Sequence, residues 1–170
     1  MVIWFIGISG AGKTTLGNRL KEYLDRRGKR SFIIDGNLVR DFFDNDLGYS
    51  RQERMANIKR IMLAAHTLSQ SGTRAIVCNI SPFEELREFA RNKIKDYNEI
   101  YLIKDLESSK AKDVQQMYRN NIGKTEIVGI DLKFDEPKGS NLTIYTDHET
   151  EEESLQRVIN YLSTKYPEDF

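Results

Sequence analysis

Residues 7–15 read Gly-Ile-Ser-Gly-Ala-Gly-Lys-Thr-Thr, and this stretch constrains the fold more than any other. Gly7, Gly12, Lys13 and Thr14 fall in the register of a phosphate-binding loop. A short apolar run, Val2-Ile3-Trp4-Phe5-Ile6, precedes it, and a helical pattern from Leu16 to Leu24 follows. Strand, glycine loop and helix are the context the motif requires. The glycines let backbone N–H groups turn inward around phosphate oxygens, and the new helix points its positive end at them. Gly7, Ser9, Gly10, Ala11, Gly12, Lys13, Thr14 and Thr15 are therefore expected to cradle ATP. Lys13 would reach the β/γ-phosphates, and the Thr14 hydroxyl would hold Mg²⁺.

Around this loop, apolar β-type runs alternate with helical patterns. The runs are Val2–Ile8, Ser31–Asp35, Arg74–Ile80, Glu99–Lys104 and Leu142–Thr146. The helices are expected at about 14–27, 51–71, 82–95 and 150–165. Continuous apolar runs separated by helices predict a parallel sheet covered on both faces. Ser50 and Glu53 form a capping box for the second helix. Its apolar stripe is Ile58, Ile61, Met62, Ala65 and Leu68. Ser81-Pro82-Phe83-Glu84 reads as an N-cap, a first-turn proline and a first-turn carboxylate. The 170 residues suit one domain, 1–170.

Composition narrows the partners. Lys plus Arg and Asp plus Glu number 26 each, so a generic polyanion binder is not expected and phosphate recognition must be local. No apolar stretch approaches the length of a membrane span. The N-terminus enters a strand-like run directly, without a basic leader, and a cytoplasmic location is expected. Cys78 lies in the apolar run Ala75-Ile76-Val77-Cys78 and reads as a buried small residue. His66 and His148 read as structural or surface residues. The segment 105–139 breaks the alternation, is polar, and carries Lys110, Lys112, Arg119, Lys124 and Lys133. Its length fits a lid that excludes water from a transferring phosphoryl group, or a solvated pair of charged helices.

A second motif, Ile34-Asp35-Gly36-Asn37-Leu38-Val39-Arg40, ends the second strand. Ligands of open parallel sheets bind at the carboxyl ends of strands, so Asp35 is expected near the glycine loop. There it could orient an acceptor hydroxyl and take its proton; as a plain structural residue it would cap a helix. Arg40 could clamp an anionic acceptor, or lie on the surface.

Asp35-Gly36-x-x-Val39-Arg40, Asp46-Leu47-Gly48-Tyr49-Ser50, Arg54-x-x-Asn57-Ile58, Ile80-Ser81-Pro82-Phe83 and Val128-Gly129-Ile130-Asp131 follow one another. In order and spacing they resemble the adenylyl sulfate kinases, from Val2 to about Thr146. The resemblance implies a P-loop kinase of three α/β/α layers, with a five-stranded parallel sheet and a lid. It also implies MgATP-dependent phosphorylation of a 3′-hydroxyl on a nucleotide. By the same resemblance Arg40, Arg54 and Asn57 contact the acceptor anion, Tyr49 stacks on its base, and Ile80 and Ser81 line its site. Catalytic roles fall to Lys13, Asp35 and Ser81. The serine is a phosphorylated intermediate only if something activates it, and no base adjoins it in sequence.

Departures from the family cluster on the acceptor side. The usual Asp-Gly-Asp-Asn is Asp35-Gly36-Asn37-Leu38. The lid's Lys-Gly-Leu-Tyr aligns with Gln115-Gln116-Met117-Tyr118, leaving Arg119 or Lys112 to replace the lysine. The second aromatic wall of the base pocket becomes Ile127. The N-terminal extension common in the family is missing, which bears on its dimer contacts; a homodimer stays open as an expectation. The pattern favours an altered acceptor, and cytidine diphosphoramidate, the substrate of related kinases in capsule modification, slightly over adenylyl sulfate. A kinase of another small nucleotide or nucleoside, or a non-catalytic ATP-binding regulator, remain as alternatives.

Overall fold

A computed structural model describes residues 1–105, 128–129 and 131–170. The expectations for Gln115–Tyr118, Lys110, Lys112, Arg119, Lys124, Ile127 and Ile130 lie outside the described residues. So does most of the expected lid.

Five parallel strands form one sheet in the order β2-β3-β1-β4-β5. They are β1 (Val2–Ile6), β2 (Ser31–Asp35), β3 (Arg74–Cys78), β4 (Tyr97–Ile103) and β5 (Leu142–Tyr145). β1 is central, pairing with β3 on one side and β4 on the other. Its residues are buried throughout, which is why its sequence is apolar on both faces rather than alternating. Val2, Trp4 and Ile6 point to one face, and Ile3 and Phe5 to the other.

The described helices are α1 (Lys13–Asp25), α2 (Gly36–Phe42), α3 (Arg51–Gln70), α4 (Glu84–Lys93) and α5 (Glu151–Lys165). Each face of the sheet has its own apolar core. Leu16, Leu20 and Leu24 of α1 pack with Leu155, Val158, Ile159 and Leu162 of α5. On the opposite face Val39 of α2, Ile58, Ile61, Met62 and Ala65 of α3, and Leu86 and Ala90 of α4 pack together. Burial of these two apolar cores is the main favourable term here, at roughly 25 cal/mol per Å² removed from water.

The capping box at Ser50 and Glu53 forms as expected, and Thr150 with Glu153 makes a second one on α5. Two local expectations are corrected. α2 is a separate helix of seven residues, too short for an apolar period to reveal it. Ser81 does not cap α4: Phe83 holds the N-cap position without a side-chain bond, and Pro82 lies before the helix. Ser81 instead takes a positive φ of 49°, because its hydroxyl and carbonyl are committed elsewhere. Glu84 is in the first turn as expected, and it pairs with Arg87 and Arg91. Arg91 also pairs with Glu99, which is fully buried; that ion pair ties α4 to β4.

Cys78 is buried as expected, and burial pushes its thiol up to about 12. His66 is partly buried and His148 exposed, the latter edge-on to Tyr145. No described helix is long and apolar enough to cross a membrane.

Candidate active site

The chains leaving β1 and β3 diverge. β1 feeds α1 on one face, and β3 feeds α4 on the other. Adjacent parallel strands whose continuations part in this way open a crevice at their carboxyl ends, the usual ligand site of such sheets.

The glycine loop fills one side of that crevice. Gly7 has φ 146°, and a Cβ there would collide with the Leu102 carbonyl. Only glycine lets β1 end this close to β4. α1 begins at Gly12 with no side-chain cap bond, so its first amides are left for a ligand. Gly10, Ala11, Gly12 and Thr15 line a cleft of about 220 Å³ that runs out to Lys104 and Thr146. Thr14 is exposed in the first turn of α1.

Lys13 is folded back onto the loop. Its Nζ donates to the Ile8 carbonyl at 2.7 Å and the Gly7 carbonyl at 3.0 Å. Burial lowers its ammonium to about 8, opposed weakly by Cys78. A partly buried cation whose partners among the described residues are carbonyl dipoles is poorly compensated, so an arriving phosphate would gain both a partner and a charge match.

Asp35 stands at the end of β2 and caps α2, with Oδ1 accepting from the Leu38 N–H at 2.8 Å. Both readings of this residue, structural cap and hydroxyl partner, are compatible, since the cap occupies Oδ1 and no bond to Oδ2 is made among the described residues.

A second cavity, about 130 Å³, gathers Gly36, Asn37, Arg40, Tyr49, Arg54 and Asn57 with Asn79, Ile80 and Val128. Five of the expected acceptor residues, Arg40, Tyr49, Arg54, Asn57 and Ile80, thus meet although they come from four parts of the chain. Arg40 is buried, and its Nη1 donates to the Leu47 and Gly48 carbonyls at 2.7 and 3.0 Å. Arg54 Nε donates to the Tyr49 carbonyl at 2.7 Å. Both guanidiniums also face the Tyr49 ring, at 4.3 and 5.2 Å from its centre. Glu53 completes the loop's attachment by accepting from the Gly48 and Ser50 N–H groups. These bonds, with the Ser50 hydroxyl, hold its carboxyl below the usual carboxylate range.

Ser81 and Asp35, both expected at the acceptor site, are not among the residues that line this cavity, although Ile80 and Pro82 on either side of Ser81 are. Ser81 is buried behind the wall. Its Oγ accepts from Trp4 Nε1 at 2.9 Å and donates to Asn79 Oδ1 at 3.0 Å. Its carbonyl accepts from Arg87 Nη1 at 2.6 Å. Among the described residues no carboxylate or imidazole bonds this hydroxyl, which is engaged in both directions, and a serine nucleophile needs such a base.

Sequence reasoning missed Asn79 and Glu53. Asn79 carried a readable signal: a polar residue closing an otherwise apolar central strand. Glu53 was noticed only as a cap, because its bond to Gly48 is a tertiary contact.

The residues fit Mg²⁺ in one respect. Mg²⁺ takes oxygen ligands, keeps several waters and leans on substrate phosphates. The exposed Thr14 hydroxyl beside the uncapped start of α1 suits that need.

The family model described as adenylylsulphate kinase matches residues 1–145. The adenylyl-sulfate kinase of Picosynechococcus sp. is 37% identical over 165 residues, covering 96% of this chain and 93% of that protein. The adenylyl-sulfate kinase of Halothermothrix orenii is 34% identical over 175 residues, covering 99% and 95%. Among solved structures, the Mycobacterium tuberculosis APS kinase CysC in complex with AMPPNP and APS superposes with a TM-score of 0.85. It is 29% identical, over 95% of this chain and 96% of that one.

Proposed function

This chain belongs to the adenylylsulphate kinase family of ATP-dependent phosphotransferases, and from that footing we propose that it phosphorylates the ribose 3′-hydroxyl of a nucleotide carrying a small anionic group. The acceptor we favour is cytidine diphosphoramidate; adenylyl sulfate is the second reading. The observation that carries the proposal is the cavity in which Arg40, Tyr49, Arg54, Asn57 and Ile80 converge. It combines an aromatic ring for a base with guanidiniums for an anion.

The reaction is an in-line transfer. ATP occupies the cleft along Gly10–Gly12 and Thr15. Lys13 leaves the Gly7 and Ile8 carbonyls for the β/γ-phosphates. Thr14 would hold Mg²⁺, which neutralises charge on the phosphate oxygens. The acceptor's 3′-oxygen attacks the γ-phosphorus, the bond to the β-bridging oxygen breaks, and ADP departs. Asp35 Oδ2 receives the hydroxyl proton while Oδ1 stays with Leu38. Arg40 and Arg54 position the anion, and Tyr49 stacks on the base. Ser81 is a strut that holds Asn79 and the pocket wall, with no covalent step.

The names of the relatives favour adenylyl sulfate. The side chains favour the alternative. Asn37 stands in the cavity lining, at a position where the resemblance implies a carboxylate, and Ile127 stands in the sequence where it implies an aromatic. Among the described residues Tyr49 is the one aromatic ring of the lining, which suits a pyrimidine better than a purine. The deciding experiment incubates the enzyme and MgATP with cytidine diphosphoramidate, adenylyl sulfate, CDP and other nucleotides, and follows products by phosphorus NMR. The highest kcat/KM is expected with cytidine diphosphoramidate. A clear preference for adenylyl sulfate would establish the second reading, and no transfer to any nucleotide would overturn both.

A further inference from the structure

Two amide side chains in the acceptor cavity retain unused hydrogen-bonding groups, and the two groups are of opposite kind. Asn79 Oδ1 accepts from both the N–H and the hydroxyl of Ser81, each at 3.0 Å. Two donors saturate that oxygen and fix which end of the amide it is. Nδ2 therefore points away from Ser81, toward Gly36, where a Cβ would stand only 2.9 Å from it. Glycine at 36 is what leaves this N–H₂ accessible. Across Gly36 lies Asn57, 3% exposed, whose Nδ2 donates to the Gly36 carbonyl at 3.4 Å. Its Oδ1 is buried and has no hydrogen-bond partner among the described residues. Both residues line the same cavity. Native folds rarely leave a buried acceptor orphaned, and a ligand is one of the standard reasons.

We propose that Asn79 is a specificity-determining residue that works as a pair with Asn57. Asn79 Nδ2 donates to an anionic oxygen of the acceptor, and Asn57 Oδ1 accepts an N–H or O–H of the same molecule. The inference rests on reading this cavity as the nucleotide-acceptor site. A phosphoramidate tail offers both partners on one phosphorus, an anionic oxygen and an amide N–H. A sulfate tail offers oxygens alone and leaves Asn57 unanswered. A ribose hydroxyl is the other possible source of the donor. A site that has paid to bury a polar group discriminates strongly against ligands that fail to pair with it.

The Asn79→Asp variant keeps an oxygen for Ser81 but replaces the cavity-facing N–H₂ with a second oxygen and a negative charge. Asn79→Ala, which removes the donor without adding charge, is therefore assayed beside it and must raise the acceptor KM as well. The KM for the acceptor should rise about tenfold or more, with the KM for ATP within about twofold of wild type. Circular dichroism and the melting temperature monitor the fold. Asn57→Leu is assayed in parallel with cytidine diphosphoramidate and CDP, and Asn57→Ser replaces it if the leucine variant fails to fold. Loss of the amidate-over-CDP preference assigns the donor to the phosphoramidate nitrogen. Equal losses on both acceptors assign it to a ribose hydroxyl. Either supports the pair. An unchanged acceptor KM in Asn79→Asp or Asn79→Ala, or unchanged efficiencies in the Asn57 variants, overturns it while leaving the kinase reading intact. A wild-type enzyme that phosphorylates no nucleotide overturns the kinase-acceptor reading itself, and the pair with it.

Discussion

The Arg40 guanidinium lies 4.3 Å from the centre of the Tyr49 ring while its Nη1 holds the carbonyls of Leu47 and Gly48. One cation thus fixes both the ring and the loop that carries it. On the proposed function the contact would link anion binding to base stacking, because a ligand that pulls on Arg40 would also change the setting of Tyr49. Arg40→Met should keep the aliphatic bulk and lose both carbonyl bonds. We expect the acceptor KM to rise about 10- to 100-fold, from hydrogen bonds to a charged group worth about 1.5–3 kcal/mol. The KM for ATP should be unchanged. Steady-state kinetics with each substrate varied in turn checks this.

Lys13 gives a proton-linkage prediction. Its ammonium is lowered from 10.5 to about 8 by burial, so the unfolded chain binds more protons than the folded one between those values. Its contribution to stability therefore rises with pH from about 8 to 10.5. Phosphate beside the ammonium reverses the shift. MgATP binding at pH 8 should take up about half a proton, and close to none at pH 6.5. Calorimetry in buffers of different ionisation enthalpy measures the uptake. Lys13→Met should abolish the effect and lower kcat by about 10²–10³.

Asp35 can be divided into its two roles by substitution. Asn at this position still accepts from the Leu38 N–H, so Asp35→Asn should preserve the melting temperature and lower kcat by about 10²–10⁴. Asp35→Ala loses the cap as well, at about 1 kcal/mol. That corresponds to a drop in melting temperature of about 2–4 °C for a chain of this size. Equal rates in Asp35→Asn and wild type would remove the carboxylate from proton transfer.

These positions show how far the sequence could be read. The glycine loop and Lys13 were legible because the motif is local: backbone conformation, helix start and ligand lie within nine residues. The strands were legible because burial on both faces leaves an unbroken apolar run, as in Val2–Ile6. α2 was hidden by its length. Ser81 misled because Ser-Pro-x-Glu is a good helix start in isolation. Its hydroxyl is claimed by Trp4 and Asn79 and its carbonyl by Arg87, and all three claims are long-range or depend on a turn the local pattern does not encode. The tethering of the Tyr49 loop was invisible for the same reason: Arg40 and Arg54 bind main-chain carbonyls, which carry no residue identity.

Ser81→Ala tests the strut. It leaves the Trp4 N–H buried without a partner, a loss of about 1–3 kcal/mol, and it frees Asn79 to rotate. We expect a lower melting temperature and a raised acceptor KM, with kcat within about tenfold of wild type. Intact-mass spectrometry of wild-type enzyme quenched during turnover should show no phosphorylated species. A stoichiometric phosphoenzyme that disappears in the alanine variant would reinstate Ser81 as a nucleophile.

The sheet separates two apolar cores, one beneath α1 and α5 and the other beneath α2, α3 and α4. The cleft along Gly10–Gly12 adjoins the first, through Ala11 and Leu16, and the cavity at Arg40 and Asn57 adjoins the second, through Ile58. Mutations in distant, separately packed groups combine nearly additively. On the proposed function, the acceptor side could therefore accumulate changes such as Asn37 without loosening the nucleotide loop. A scaffold partitioned in this way can exchange one substrate for another by small steps, each intermediate still able to spend ATP.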